Sequence, residues 1–215
     1  MKVGVGVITM GLRPIRDYKL APGSHLYVYT DTERKGPARA RNQVLKYLCE
    51  EGCDVFFVFD DDCYPTVPGW EAYFLDQHQK TGIHLFGLPD VFHAGMTGAE
   101  GEVIYWNGML VQFAMYTRKL LEEVGFYNTR YDRYGHEDSG YTFRALRSGL
   151  AGNKTGFPSP IRTLGYIHSE DVYGQTQVHN LTGEEKGAYI EANRAILYAE
   201  LNGDQIYYPF AQDAE

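Results

Sequence analysis

Three aspartates in a row, Asp60, Asp61 and Asp62, follow the apolar run Val55-Phe56-Phe57-Val58-Phe59. Carboxylates packed so closely repel one another unless a positive group sits among them. A hard, oxygen-seeking divalent cation, Mg²⁺ or Mn²⁺, is the usual answer. A solvated acidic turn is the plain alternative, but a position at the end of a run that reads as a buried central strand favours a metal or phosphate role. A second acidic pair, Glu137 and Asp138, lies in Tyr134-Gly135-His136-Glu137-Asp138-Ser139, where a helix is expected to begin. Helix N-termini attract carboxylates through exposed N–H groups and the helix dipole, so capping competes with a catalytic base here. The third feature is His168, in Ile167-His168-Ser169-Glu170-Asp171. Mixed imidazole and carboxylate ligation suits Mn²⁺, although a lone histidine is more often an ordinary core or surface residue.

These residues need elements to carry them. Val3–Ile8 and His25–Thr30 read as strands, Pro37 opens a helix with an apolar stripe at Ala40, Val44, Leu45 and Leu48, and Val55–Phe59 follows as a third strand. Strand, strand, helix, strand implies an α/β sheet whose parallel strands point one way, and ligands gather beyond the carboxyl ends of such strands. Thr9, Asp31 and Asp60 fall at three of those ends. Further along, a helix is expected over 68–80, a strand over 83–87, and a strand-like stretch over 103–116 split at Asn107-Gly108. Short helices follow over 118–124 and 137–147. The Gly- and Pro-rich stretch 89–102 reads as a mobile loop able to close over a ligand, with His93 and Met96 in it. Residues 149–160 and 169–183 read as loops and 162–168 as a strand. A last helix spans 184–201, with Ala188, Ala192, Ala195, Ile196 and Ala199 along one face. Trp106, beside Asn107, suits stacking on a sugar ring as well as it suits core packing.

The 215 residues are 44% hydrophobic and 22% charged, enough for one well-filled core and no sign of disorder. The formal net charge of −8 argues against a broad basic face for nucleic acid, though not against a local groove built from Arg13, Arg16, Lys19, Arg130 and Arg133. Three cysteines without a CxxC pair argue against a disulfide framework or a structural zinc site and suit a reducing, cytoplasmic setting. No apolar run is long enough to cross a bilayer, and the first residues read as a strand rather than a signal segment.

Taken in order, Gly36-Pro37-Ala38-Arg39-Ala40-Arg41-Asn42, then Phe59-Asp60-Asp61-Asp62, then Gly135-His136-Glu137-Asp138, then His168 resembles the GT-A glycosyltransferases, of the family 2 and galactosyltransferase-like kinds. The resemblance spans residues 3 to 170. It implies a Rossmann-like, mixed but mainly parallel sheet flanked by helices in a single domain. A nucleotide-binding half would cover about 1–100, an acceptor and catalytic half about 101–183, and the C-terminal helix 184–201. It also implies roles. Asp60–Asp62 would be the DxD motif, with Asp62 on the metal, His168 as a further metal ligand, and Asp60 and Asp61 on the donor. Asp31 would read the uracil edge, with Thr9 beside it, and Arg41 would lie near the base and diphosphate. Asp138 would be the catalytic base, with Glu137 next to it binding hydroxyls, and Trp106 and Asn107 would meet the acceptor or sugar. The implied activity is metal-dependent, inverting transfer from a UDP-sugar to a saccharide hydroxyl. Ser139-Gly140 departs from the further acids that such relatives carry at that point.

Two acceptors stay open: a saccharide, or hydroxymethylated DNA bases as in virus-encoded transferases. A non-catalytic module holding a structural ion is the alternative of another class. A sugar-nucleotide-forming nucleotidyltransferase fits less well, because Thr9-Met10-Gly11-Leu12-Arg13-Pro14 is a poor version of the Gly-rich basic loop such enzymes bear.

Overall fold

The computed structural model describes residues 1–152, 156–173 and 181–211. Strands β1 (Val3–Thr9), β2 (His25–Thr30) and β3 (Val55–Asp60) pair in parallel, with β1 in the middle. Beyond β3 the sheet continues through β8 (Met109–Thr117), antiparallel to both neighbours, to β5 (Leu85–Pro89) at the edge. The strand order is therefore β2-β1-β3-β8-β5, a mixed sheet in which four of five strands point the same way. This is the expected α/β architecture.

The alternation of Val and Gly in β1 has a packing cause. A Cβ on Gly6 would lie 2.0 Å from Val44 Cγ1, and one on Gly4 would lie 2.8 Å from Cys53 Sγ. The missing side chains let helix α1 (Pro37–Glu50) lie close on the sheet, while Val5 and Val7 fill the opposite face. β3 is covered on both sides. Phe56 and Val58 join the core under α1, and Val55, Phe57 and Phe59 join the core around Trp70 and Phe74 of helix α2 (Trp70–Thr81). An uninterrupted apolar run is the pattern such a strand requires.

Helices α3 (Arg118–Val124) and α4 (Glu137–Ser148) stand where the sequence places them, and α4 ends on Gly149 in the left-handed conformation that favours glycine. Asn107-Gly108 does divide the later strand region into β7 (Val103–Trp106) and β8. Short β4 (Cys63–Pro65), which the sequence reading misses, pairs with β10 (Ile167–Ser169). The stretch 89–102 is not a loop throughout: Met96–Glu100 forms β6, paired with β7. The described part of 149–160 also contains a strand, β9 (Phe157–Pro160), at the edge of the sheet β6-β7-β9. β9 lies against β5, so no domain boundary falls between the two sheets. Over 162–168 a single helical turn, α5 (Thr163–Tyr166), precedes β10. The expected loops over 149–160 and 169–183 lie partly outside the described residues.

Helix α6 (Gly183–Asn202) is present and opens with a capping box between Thr182 and Glu185. The face marked by its alanines is not the one that docks. Ala188, Ala192, Ala195 and Ala199 are exposed, and the buried residues are Asn193, Leu197 and Glu200. Alanine is a helix former on any face, so its spacing carries little about which side docks. No helix among the described residues is long and apolar enough to cross a membrane.

Candidate functional site

Because β1 lies between β2 and β3 in parallel register, their carboxyl ends stand side by side, with Thr9 opposite Thr30 and Ile8 opposite Asp60. A cleft of about 570 Å³ opens there. Thr9, Asp31, Arg41, Asp60, Asp61, Asp62, Asn107, Glu137 and Asp138 all line it, so nine of the eleven residues singled out from the sequence converge on one place.

Arg41, buried in α1, ties the acids together. Its Nη2 donates to both oxygens of Asp60 at 2.8 and 3.0 Å, its Nη1 donates to Asp138 Oδ1 at 2.9 Å, and Glu137 lies 3.5 Å away. A planar guanidinium with several N–H groups suits such bridging, which an ammonium would not match. Burial opposes its charge, but Asp138 and Asp60 outweigh that and keep the guanidinium protonated. The acids shift the other way. Burial pushes Asp60 up to about 6 against the pull of Arg41. Burial, the Arg41 charge opposing, and then Glu137 leave Asp138 at about 7, and burial also raises Glu137. A carboxyl near 7 is poised to exchange a proton at neutral pH.

Asp61 and Asp62 differ sharply. Asp61 accepts from Thr9 Oγ1 at 2.5 Å and from Arg13 Nη1 at 2.6 Å, so both its oxygens are engaged. Asp62 Oδ1 is buried with no hydrogen-bond partner, and Arg13 approaches its other oxygen only to 3.8 Å. Burial and the nearby Asp60 raise Asp62 to about 7. An orphaned, buried carboxylate oxygen fits a cation. Among the described residues no three carboxylate, imidazole or thiol groups gather as a ready-made cage.

Asp31 lines the cleft with both oxygens accepting backbone N–H groups, from Lys35 and Gly36 at 3.0 Å each, which shapes the turn into α1. Asn107 also lines it and accepts from Gly95 N at 2.8 Å. Two residues are placed otherwise. His168 does not line the cleft; its ring lies between Tyr64 and Tyr173, with centroids 5.2 and 5.0 Å away. Trp106 sits in β7 opposite Phe157, outside the lining. Asp171, three residues past His168, does line the cleft, accepts from Gln112 Nε2 at 2.9 Å and adds to the negative field on Asp62. In Ile167-His168-Ser169-Glu170-Asp171 it is therefore the aspartate, not the histidine, that the fold brings to the cleft.

Of the residues that could form a basic groove for DNA, Arg133 lines the cleft, and three others are paired with acids. Arg13 is held by Asp61, Arg16 by Glu170 at 2.8 Å, and Lys19 by Asp17 at 2.6 Å. Arg13 thus belongs to the acidic site.

Fold and cleft together describe a mixed α/β protein with a buried acid–arginine cluster at its strand ends. No protein-family model and no curated protein matches the chain. Among solved structures it is similar to A197 from STIV at 18% identity and a TM-score of 0.42, over 58% of this chain and 69% of that one. It is similar to S. aureus TarS 1–349 in complex with UDP at 12% identity and a TM-score of 0.45, over 94% and 74%. A glycosyltransferase involved in the glycosylation of the major capsid of PBCV-1 follows at 13% and 0.40, over 57% and 63%. All three likenesses are distant.

Proposed function

We propose that the protein transfers a sugar from a nucleoside diphosphate sugar, with UDP as the nucleotide, to a hydroxyl of a saccharide acceptor, using Mg²⁺ or Mn²⁺. One observation carries this reading: Asp60, Asp62 and Asp138 come from β3, the turn after it and the start of α4, yet meet in one cleft, with Arg41 joining Asp60 to Asp138.

Asp62 would hold the cation through its unpartnered oxygen, with Asp171 near it. Bound there, the ion supplies Lewis-acid stabilisation of the departing diphosphate. The chain's own residues supply the rest. Arg13 and Thr9 fix Asp61, which keeps the turn carrying Asp62 in place. Asp138, with its carboxyl near 7, takes the proton of the acceptor hydroxyl as that oxygen attacks the anomeric carbon. The bond from that carbon to the diphosphate breaks in the same displacement, so the configuration inverts. Arg41 holds Asp138 at a fixed distance from Asp60 and so from the donor end of the cleft.

Calorimetric titration with UDP, using GDP as control, with and without Mn²⁺, tests this on the wild type and Asp62→Ala. Binding of UDP that requires Mn²⁺ and vanishes in the variant supports the donor site and directs a screen of UDP-sugars for turnover. No nucleotide binding under any condition would sink the reading and leave the structural-ion module as the better account.

A further inference from the structure

The face that α6 buries leads straight to the catalytic segment. Asn193 Oδ1 accepts from Asp132 N at 2.9 Å, and its Nδ2 donates to the carbonyls of Gly135, Tyr134 and Asp132 at 2.9, 3.0 and 3.3 Å. One buried amide thus grips four backbone atoms of the loop that ends at Glu137. One turn back, Ile190 lies where a Cβ on Gly135 would be, at 2.8 Å. Two turns on, Glu200 accepts from Asn128 Nδ2 at 2.7 Å and Tyr131 Oη at 2.8 Å. A Cβ on Gly140 would come within 2.1 Å of Glu200 Oε2 and 2.4 Å of Tyr131 Oη. Residues on both sides of Glu137-Asp138, Gly135 and Gly140, therefore touch α6.

The gripped loop needs a grip. Gly135 and His136 both have positive φ, 92° and 73°, immediately before α4. For histidine that conformation costs on the order of 1 kcal/mol or more and persists only where the surroundings impose it. Reversing the chain there is what turns Glu137 and Asp138 toward Arg41. A side chain at 140 would displace Glu200 or Tyr131.

We infer that Asn193 is a positioning residue for the Glu137–Asp138 pair, fixing the base from a helix that does not itself reach the reacting atoms. The inference rests on Asp138 acting as base in the proposed transfer. It is tested with Asn193→Ala, the near-isosteric Asn193→Asp, and Leu197→Ala, which removes apolar packing from the same face but no hydrogen bond. Asn193→Ala and Asn193→Asp should keep metal-dependent UDP affinity within about twofold while kcat drops at least ~10-fold, as expected for a misplaced catalytic group. Amide exchange over residues 135–138 should rise about 10-fold as that segment opens locally. Leu197→Ala should lower Tm yet leave kcat and exchange over 135–138 near wild type. Equal loss of kcat in Leu197→Ala at matched Tm, or wild-type kcat in both Asn193 variants, overturns the inference. If the wild type neither binds UDP nor turns over a UDP-sugar, the transfer reading fails by itself. The exchange comparison then decides alone whether Asn193 holds 135–138, and unchanged exchange in both Asn193 variants overturns that too.

Discussion

Asp61 and Asp62 have the same side chain and adjacent backbones, yet only Asp62 keeps a buried oxygen without a partner. Folding carries that oxygen as a cost, which gives a signed expectation. Asp62 has a folded value of about 7 against an unfolded one near 4, so the apo protein loses stability as pH rises between those values. Asp62→Asn should therefore raise apo stability by about 1–3 kcal/mol at pH 8 and by little near pH 4, while abolishing metal-dependent UDP binding. Urea titrations at the two pH values check the first part. Asp138 makes a second case. Transfer should climb with pH through about 7 as its carboxyl ionises, and Asp138→Asn should cut kcat by about 10²–10⁴-fold with UDP affinity retained. Arg41→Met should cost about 3–5 kcal/mol at pH 8, since it strands Asp60, Glu137 and Asp138 together. The cost should shrink at pH 5, where Asp60 and Asp138 take up protons. The acid clusters were legible from sequence because consecutive and paired carboxylates stand out without any knowledge of the fold. The central place of Arg41 was not, since it depends on α1 and α4 meeting across 97 residues of chain. Arg13 looked like a nucleic-acid contact for the same reason: nothing local shows that it folds back onto Asp61.

Elements were legible where one physical signal dominated. The apolar run of β3, the Pro37 opening of α1 and the Gly149 stop of α4 each gave the structure directly. β9 escaped because Phe157-Pro158-Ser159-Pro160 contains two prolines, and proline argues against a strand except at an edge. Among the described residues β9 is an edge strand, paired with β7. β6 escaped for a similar reason, with Gly98 inside it and few apolar residues to mark a face. In α6 the helix was plain but its docking face was not, because that face works mainly through the hydrogen bonds of Asn193 and Glu200 rather than through apolar burial. Where close packing rests on a missing side chain, the element makes its own prediction. Gly6→Ala would drive a methyl into Val44, and β1 cannot move without dragging Thr9 and the strand ends. Overpacking of this kind costs about 1–3 kcal/mol. Thermal melts should show that loss, and Gly98→Ala, with open space around its Cβ position, should not.

At the scale of the whole molecule, the sheet gathers carboxylates from distant segments at one end, and a cation with a nucleotide is what would make that end comfortable. Asp60, Asp61, Asp62, Glu137, Asp138 and Asp171 crowd one cleft of a protein with net charge −8; Arg41 and Arg13 pair with this cluster, and Arg34, Arg133 and Lys186 line the same cleft. Ligand binding should therefore register as global stability. A ligand present at about 100 times its Kd stabilises the native state by about 2.7 kcal/mol. For a chain of this size each kcal/mol moves Tm by about 2–4 °C, so UDP with Mn²⁺ should raise Tm by about 5–10 °C at pH 8. The gain should fall away by pH 5.5, because Asp62 at about 7 and Asp60 at about 6 then hold protons that the cation must displace. Chelation with EDTA should return Tm to the apo value, and UDP alone should do little. A Tm gain from UDP that ignores both EDTA and pH would place the nucleotide away from Asp62 and break the link between the acidic strand ends and the donor.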